Sequence, residues 1–145
     1  MGQGVTTGLS TLVGEELDVD PLNMEILFAG VHPDYNNPGM GVQGTGGSNS
    51  INAHYTQLRQ VGANTRALIV EAAAHDLGIK KESIETDNGH IVVGGERHPY
   101  GKFVATAASL TASTEAPLKS PSEFRYIRRE SPRVDAIAKA TGTAQ

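Results

Sequence analysis

Twelve residues, Gly39-Met40-Gly41-Val42-Gln43-Gly44-Thr45-Gly46-Gly47-Ser48-Asn49-Ser50, join a bare backbone to the start of a long helical pattern. Five of the first nine are glycine, so most of that main chain has no Cβ to hold a bound molecule away. Ser48 and Ser50 lead into a helix start, where unpaired N–H groups and the helix dipole favour an anion. The chemistry this suits is main-chain binding of a phosphate-bearing ligand. A flexible surface loop has the same composition, and Ser48 or Ser50 also reads as a plain helix cap, so both readings stand at this point.

Other patterns carry less. Gly39-x-Gly41-x-x-Gly44 matches the dinucleotide fingerprint in letters, but seven residues separate Val31 from Gly39 and the helix starts well after the third glycine. Strand–turn–helix spacing is therefore wrong for that site. The five histidines, at 32, 54, 75, 90 and 98, show no paired ligand spacing, and Ser10 and Ser109 lack an elbow motif. With no cysteine, disulfides, thiolate metal sites and thiol catalysis are excluded, without fixing a compartment. The sequence assigns no catalytic residue and no metal ligand.

The elements that would position the glycine loop follow from periodicity. Val5, Leu9, Leu12, Val13 and Leu17 recur at helical spacing, and Asp18 with Asp20-Pro21 ends that helix. Met24 to Val31 is an apolar run that predicts a mostly buried strand. From Ser48 to Leu77, residues Ile51, Tyr55, Leu58, Val61, Leu68, Ile69, Ala72 and Ala73 form one stripe, with Gly78 as the C′ residue. Leu58 is expected to be buried, whereas Arg59 and Arg66 fall off the stripe and are expected to tolerate alanine. Ile84–Thr86 and His90–Val93 flank Asp87-Asn88-Gly89, a hairpin signal, and a third strand fits Arg97–Tyr100. Lys102–Leu110 reads as a short helix. The expected fold is α+β: two main helices on a small mixed β-sheet, with residues 111–145 as a partly extended C-terminal tail or linker towards a following domain, and residues 1–110 as the ligand-binding portion.

Composition limits the partners. The chain of 145 residues has a net charge of −4, which gives no electrostatic case for nucleic acid. No apolar run is long enough to span a membrane. Residues 1–110 are net acidic and 111–145 net basic. The glycine-rich opening, the linker-like tail and the open edges of the expected sheet suggest a piece of something larger.

Gly2-Gln3-Gly4-Val5-Thr6-Thr7, Glu15-Glu16-Leu17-Asp18-Val19-Asp20, and Gly44-Thr45-Gly46-Gly47-Ser48-Asn49-Ser50 with Leu58-Arg59-Gln60-Val61-Gly62-Ala63 resemble a molybdenum-hydroxylase large subunit. The family is that of xanthine dehydrogenase and aldehyde oxidase, nearest its branch of isoquinoline 1-oxidoreductase beta subunits. Pro132 to Gln145 resembles the connector into that family's hammerhead domain. The resemblance implies a molybdopterin cofactor, in its plain or dinucleotide form, approached by Gly2, Gln3 and Gly4. It also implies that Gly44, Thr45, Gly46, Gly47, Ser48, Asn49 and Ser50 offer N–H and hydroxyl groups to it. It implies as partners the rest of the large subunit and an iron–sulfur subunit or domain, with oxidation of an aldehyde or an aromatic N-heterocycle by the whole enzyme. The family's catalytic base is a glutamate in a glycine-containing motif that this chain does not match, so the isolated chain is expected to be inactive. The alternatives are a stand-alone module for a phosphate-bearing ligand, and a structural fragment with no function of its own.

Overall fold

The structure, a computed structural model, describes residues 3–144. Helix α1 spans Val5–Leu17 and α2 spans Ser50–Leu77. Strands β1 (Glu85–Asp87), β2 (His90–Val93) and β3 (Glu96–Pro99) follow, then α3 (Val104–Ala107) and α4 (Ala136–Ala140). The fold is α+β. The sheet, however, is wholly antiparallel, in the order β1-β2-β3. The expected mixed sheet fails because Met24–Val31 joins no strand; Leu27 is 79% exposed and Val31 97%. An apolar run states what a segment prefers, not whether a neighbouring strand is there to pair with it.

Local chemistry accounts for the rest. Asn88 and Gly89 both take positive φ, the two-residue hairpin turn that Asn-Gly favours, and His90 pairs back to Asp87. Gly78 closes α2 in the left-handed conformation, and the Ile79 N–H returns to the Ala74 carbonyl. The main core lies between the C-terminal half of α2 (Ile69, Ala72, Ala73), Ile91 of β2, and Tyr100, Phe103 and Ala107.

The N-terminal half of α2 packs differently. There the buried residues are Ser50, Arg59, Gly62 and Ala63, while Val61 is half exposed. Helix α1 comes so close that a methyl group on Gly62 would lie 2.6 Å from the Val13 carbonyl oxygen and 3.0 Å from the Glu16 Cβ. Gly62→Ala would gain up to about 1 kcal/mol of helix propensity. Overpacking against a backbone carbonyl costs about 1–3 kcal/mol. The expected result is net destabilisation in chemical denaturation; a stabilised variant would show that the two helices can separate freely.

The tail is not a free linker. Glu15 and Glu16, both fully buried, hold it against α1. The Glu15 carboxylate accepts the backbone N–H groups of Arg125, Tyr126 and Ile127 at 2.7–3.1 Å, and Lys119 Nζ lies 3.4 Å away. Glu16 accepts from Arg59 Nε at 2.8 Å and from the Lys119 N–H at 3.1 Å. Arg59 also donates to the Lys119 carbonyl and stacks over Tyr55 and Phe124, 5.2 and 4.9 Å from the ring centres. Arg59 is therefore a core residue, contrary to its place off the apolar stripe. Arg66 reaches Asp18 at 3.3 Å, so it too has a structural partner.

Candidate functional site

The loop before α2 is organised around one side chain, Asn37, which is only 2% exposed. Its Oδ1 accepts the Gly39 N–H at 2.9 Å, and its Nδ2 donates to Asn49 Oδ1 at 3.2 Å. Its carbonyl accepts the N–H groups of Met40 and Gly41. The glycines thus follow an ordered course to the helix. Asn49, not a serine, occupies the N-cap position, and its side chain makes no capping bond. Ser50 Oγ instead pairs with Thr45 Oγ1 at 3.0 Å, which draws the loop down onto the helix.

Between these anchors, Gly44–Ser48 lie exposed, and among the described residues their N–H groups meet no protein acceptor. Gly47 and Ser48 both have φ of 57°. Gly47 has open space where a Cβ would stand. Amide exchange is expected to be fast from Gly44 to Ser48 and slower at Met40 and Gly41; uniform protection through the loop in the free chain would contradict this course.

Gln3 and Gly4 lie at the start of α1, where Gly4 takes the N-cap place with φ of 67°. Gly2 lies outside the described residues. A cavity of about 160 Å³ brings Gln3, Gly4 and Thr6 together with Thr45 of the loop. The two glycine segments, about forty residues apart in sequence, therefore meet at one cavity through Thr45. A wider groove beside it is lined by Gly44, Thr45, Ser50, Asn37 and His54. Gly46, Gly47, Ser48 and Asn49 line neither; the first three are exposed, while Asn49 is half-buried against Asn37.

Three further residues were not singled out from the sequence. Arg133, Asp135 and Lys139 line the same small cavity. Arg133 forms a two-bond pair with Asp135 at 2.8 and 2.9 Å, and Lys139 approaches the same carboxylate at 2.6 Å. Arg133 first, and then Lys139, hold the Asp135 carboxyl far below the usual range. Two cations against one carboxylate leave a local surplus of positive charge beside the positive end of the α1 dipole. The Val134 N–H donates to Thr7 Oγ1 at 3.2 Å and seats this segment on α1. The Asp135–Lys139 spacing is a legible helix pair. Nothing local says that it returns to a helix more than a hundred residues earlier.

This arrangement fits a large anionic ligand with hydrogen-bonding edges. It offers free main-chain donors, an amide at Gln3 that both donates and accepts, hydroxyls at Thr6 and Thr45, and two cations. Those features suit a pterin that carries a phosphate.

Comparison with known proteins agrees. The family described as molybdopterin cofactor-binding domain matches residues 1–141. The membrane-bound aldehyde dehydrogenase [pyrroloquinoline-quinone] of Gluconacetobacter polyoxogenes is 31% identical over 99% of this chain and 19% of its own length. The beta subunit of isoquinoline 1-oxidoreductase from Brevundimonas diminuta is 30% identical over 99% and 19%. One subunit of nicotinate dehydrogenase from Pseudomonas putida is 29% identical over 98% and 12%. The chain thus spans between about an eighth and a fifth of the length of these relatives. It belongs to the molybdopterin cofactor-binding domain family.

Proposed function

We propose that this chain is the part of a molybdenum-hydroxylase large subunit that grips the pterin cofactor, within an enzyme that oxidises aldehydes or aromatic N-heterocycles. The observation that carries the reading is the meeting of Gln3 and Gly4 with Thr45 at one cavity flanked by Arg133 and Lys139. Relatives named for aldehyde, nicotinate and isoquinoline oxidation support the substrate class. Two of those names denote subunits, which supports further partners. An iron–sulfur subunit or domain is the partner proposed to receive electrons. No described helix is long and apolar enough to cross a membrane.

When bound, the cofactor supplies the redox chemistry, as cofactors generally do, while the protein supplies binding and orientation. The residues of this chain act on position and charge. Gln3 would fix the orientation of a ring edge through its amide. The N–H groups from Gly44 to Ser48 would hold an anionic group without side-chain obstruction. Arg133, Lys139 and the start of α1 would balance its charge. None of these groups supplies a base for substrate, so residues 1–145 alone are expected to show no turnover.

The test places this chain in the matching segment of the Brevundimonas diminuta protein, and measures molybdenum and extracted pterin. Gln3→Ala should lose about 1–3 kcal/mol of cofactor binding by stranding polar partners. Gly47→Val should lower occupancy further, since a β-branched side chain at a left-handed position is strained and stands where a ligand would approach. Circular dichroism should stay largely unchanged in both. Full occupancy in both variants would remove these residues from the site. Recovery of a quinone in place of a pterin would overturn the cofactor itself.

A further inference from the structure

The segment after α1 has the composition of a buried strand and no sheet to lie in. Met24 opens it in extended conformation, with φ −99° and ψ 132°. No turn or bend interrupts residues 25–30. Met24 and Ile26 are half buried while Glu25 and Leu27 are exposed, the alternation of a strand lying on a surface. Phe28 and Val31 are 82% and 97% exposed, although both are large and apolar.

The backbone is as unsatisfied as the side chains. Among the described residues, no hydrogen bond involves the N–H or C=O of any residue from Glu25 to Ala29. Successive residues of a strand present these groups to opposite edges. Glu25, Leu27 and Ala29 therefore leave one edge open, and Ile26 and Phe28 leave the other. A groove lies along each side, with Met24, Ile26 and Phe28 as the common wall. One, of about 490 Å³, is floored by Val5, Leu9 and Val13 of α1. The other, of about 460 Å³, runs against Val134 and Ala138.

Resting on the large-subunit reading, we infer that Glu25–Ala29 is an inner strand of a sheet whose neighbours on both edges come from the remainder of that subunit. A strand with apolar residues on both faces belongs in a sheet covered on both sides. A second copy of this chain, pairing the same segment about a two-fold axis, would fill one edge of each strand and leave the other open. The relatives extend over at least four-fifths of their length beyond the region this chain matches, so they contain polypeptide enough to supply both neighbours.

Proline scanning with hydrogen exchange tests this, in the isolated chain and in the graft into the Brevundimonas diminuta protein. In the isolated chain, amides 25–29 should exchange without protection, and Leu27→Pro and Phe28→Pro should leave the melting temperature unchanged, since no ladder bond is lost. In the graft, protection should rise by about 100-fold or more. Each proline should then lower the yield of folded graft, because each removes a donor from a different edge. Fast exchange at 25–29 in a folded graft with normal pterin content would overturn the inference and leave the cofactor reading intact. Protection without pterin would do the reverse. Sensitivity to only one of the two prolines, protection in the isolated chain together with dimer formation, or a graft that never folds would each overturn the two-edge assignment.

Discussion

Glu15→Ala is expected to release the segment from Arg125 to Ile127 and to cost about 3–5 kcal/mol, as removal of one partner from a buried charged cluster does. Whole domains are stable by only about 5–15 kcal/mol, so the variant should be close to unfolding at moderate temperature. The reason is stoichiometric. One fully buried carboxylate satisfies three consecutive backbone N–H groups beside the Lys119 ammonium, and alanine strands all three N–H groups, whereas Lys119 keeps Asp18. Glu15→Gln keeps the shape but points an amide group at a row of donors, so it should fall between the two.

The same carboxylate should make the tail acid-sensitive. Burial pushes the Glu15 carboxyl up, but the N–H groups of Arg125, Ile127 and Tyr126, with the charge of Lys119, outweigh it and hold it below its ordinary 4.5. A depressed carboxylate contributes stability that is fully present above the ordinary value and lost as pH falls through the folded-state value. Protection of amides 125–127, relative to their exchange in an unstructured chain at the same pH, should therefore fall only below about pH 4.5, where the unfolded-state group is half protonated. Glu15→Gln should flatten that dependence. An unchanged acid profile in Glu15→Gln would assign the sensitivity to another group.

Arg59→Ala should also cost about 3–5 kcal/mol, because it leaves the buried Glu16 without its cation. Leu58→Ala should cost less than the ~2 kcal/mol at the low end for fully buried leucines. Leu58 is only half buried and faces the open groove beside Met24 and Phe28, whereas Arg59 is 8% exposed between Glu16, Tyr55 and Phe124. Arg59→Lys should restore little, since an ammonium cannot reproduce the planar stacking and the paired donors. Chemical denaturation of the three variants checks the order. A leucine loss larger than the arginine loss would mean that the apolar groove is closed in solution.

That order reverses what hydrophobic periodicity predicts, and the reversal shows where sequence patterns inform. The stripe from Ile51 to Ala73 does mark α2, and Ser50 and Gly78 bound it as Gly78's left-handed preference requires. Asn88-Gly89 likewise specifies the hairpin because few residue pairs tolerate its backbone. The stripe fails in the first half of α2, where the neighbour is another helix at backbone contact. There Gly62 permits the approach and an ion pair fills the contact, so neither carries a hydrophobic signature. At the candidate site, the glycine loop was legible because missing side chains are a local property. Arg133 and Lys139 were not, since their place depends on the Val134–Thr7 contact across more than a hundred residues. Asn37, the centre of the loop's hydrogen bonds, resembles any loop asparagine until its partners are in place.

The clasp between α1 and the tail has a consequence for the order of events during synthesis. The partners of Glu15 lie 110–112 residues further along the chain. At about 5–20 residues per second on the ribosome, α1 emerges several seconds or more before Arg125, Tyr126 and Ile127 exist. For that interval the Glu15 carboxylate, destined for the interior, lacks its N–H partners and must stay hydrated, whereas Glu16 can already meet Arg59. Helices α1 and α2 can meet through Glu16 and Arg59 beforehand, but the Glu15 side of α1 cannot be sealed until the tail has been made. Translation through about residue 127, rather than completion of the hairpin, sets the moment at which this region can lock.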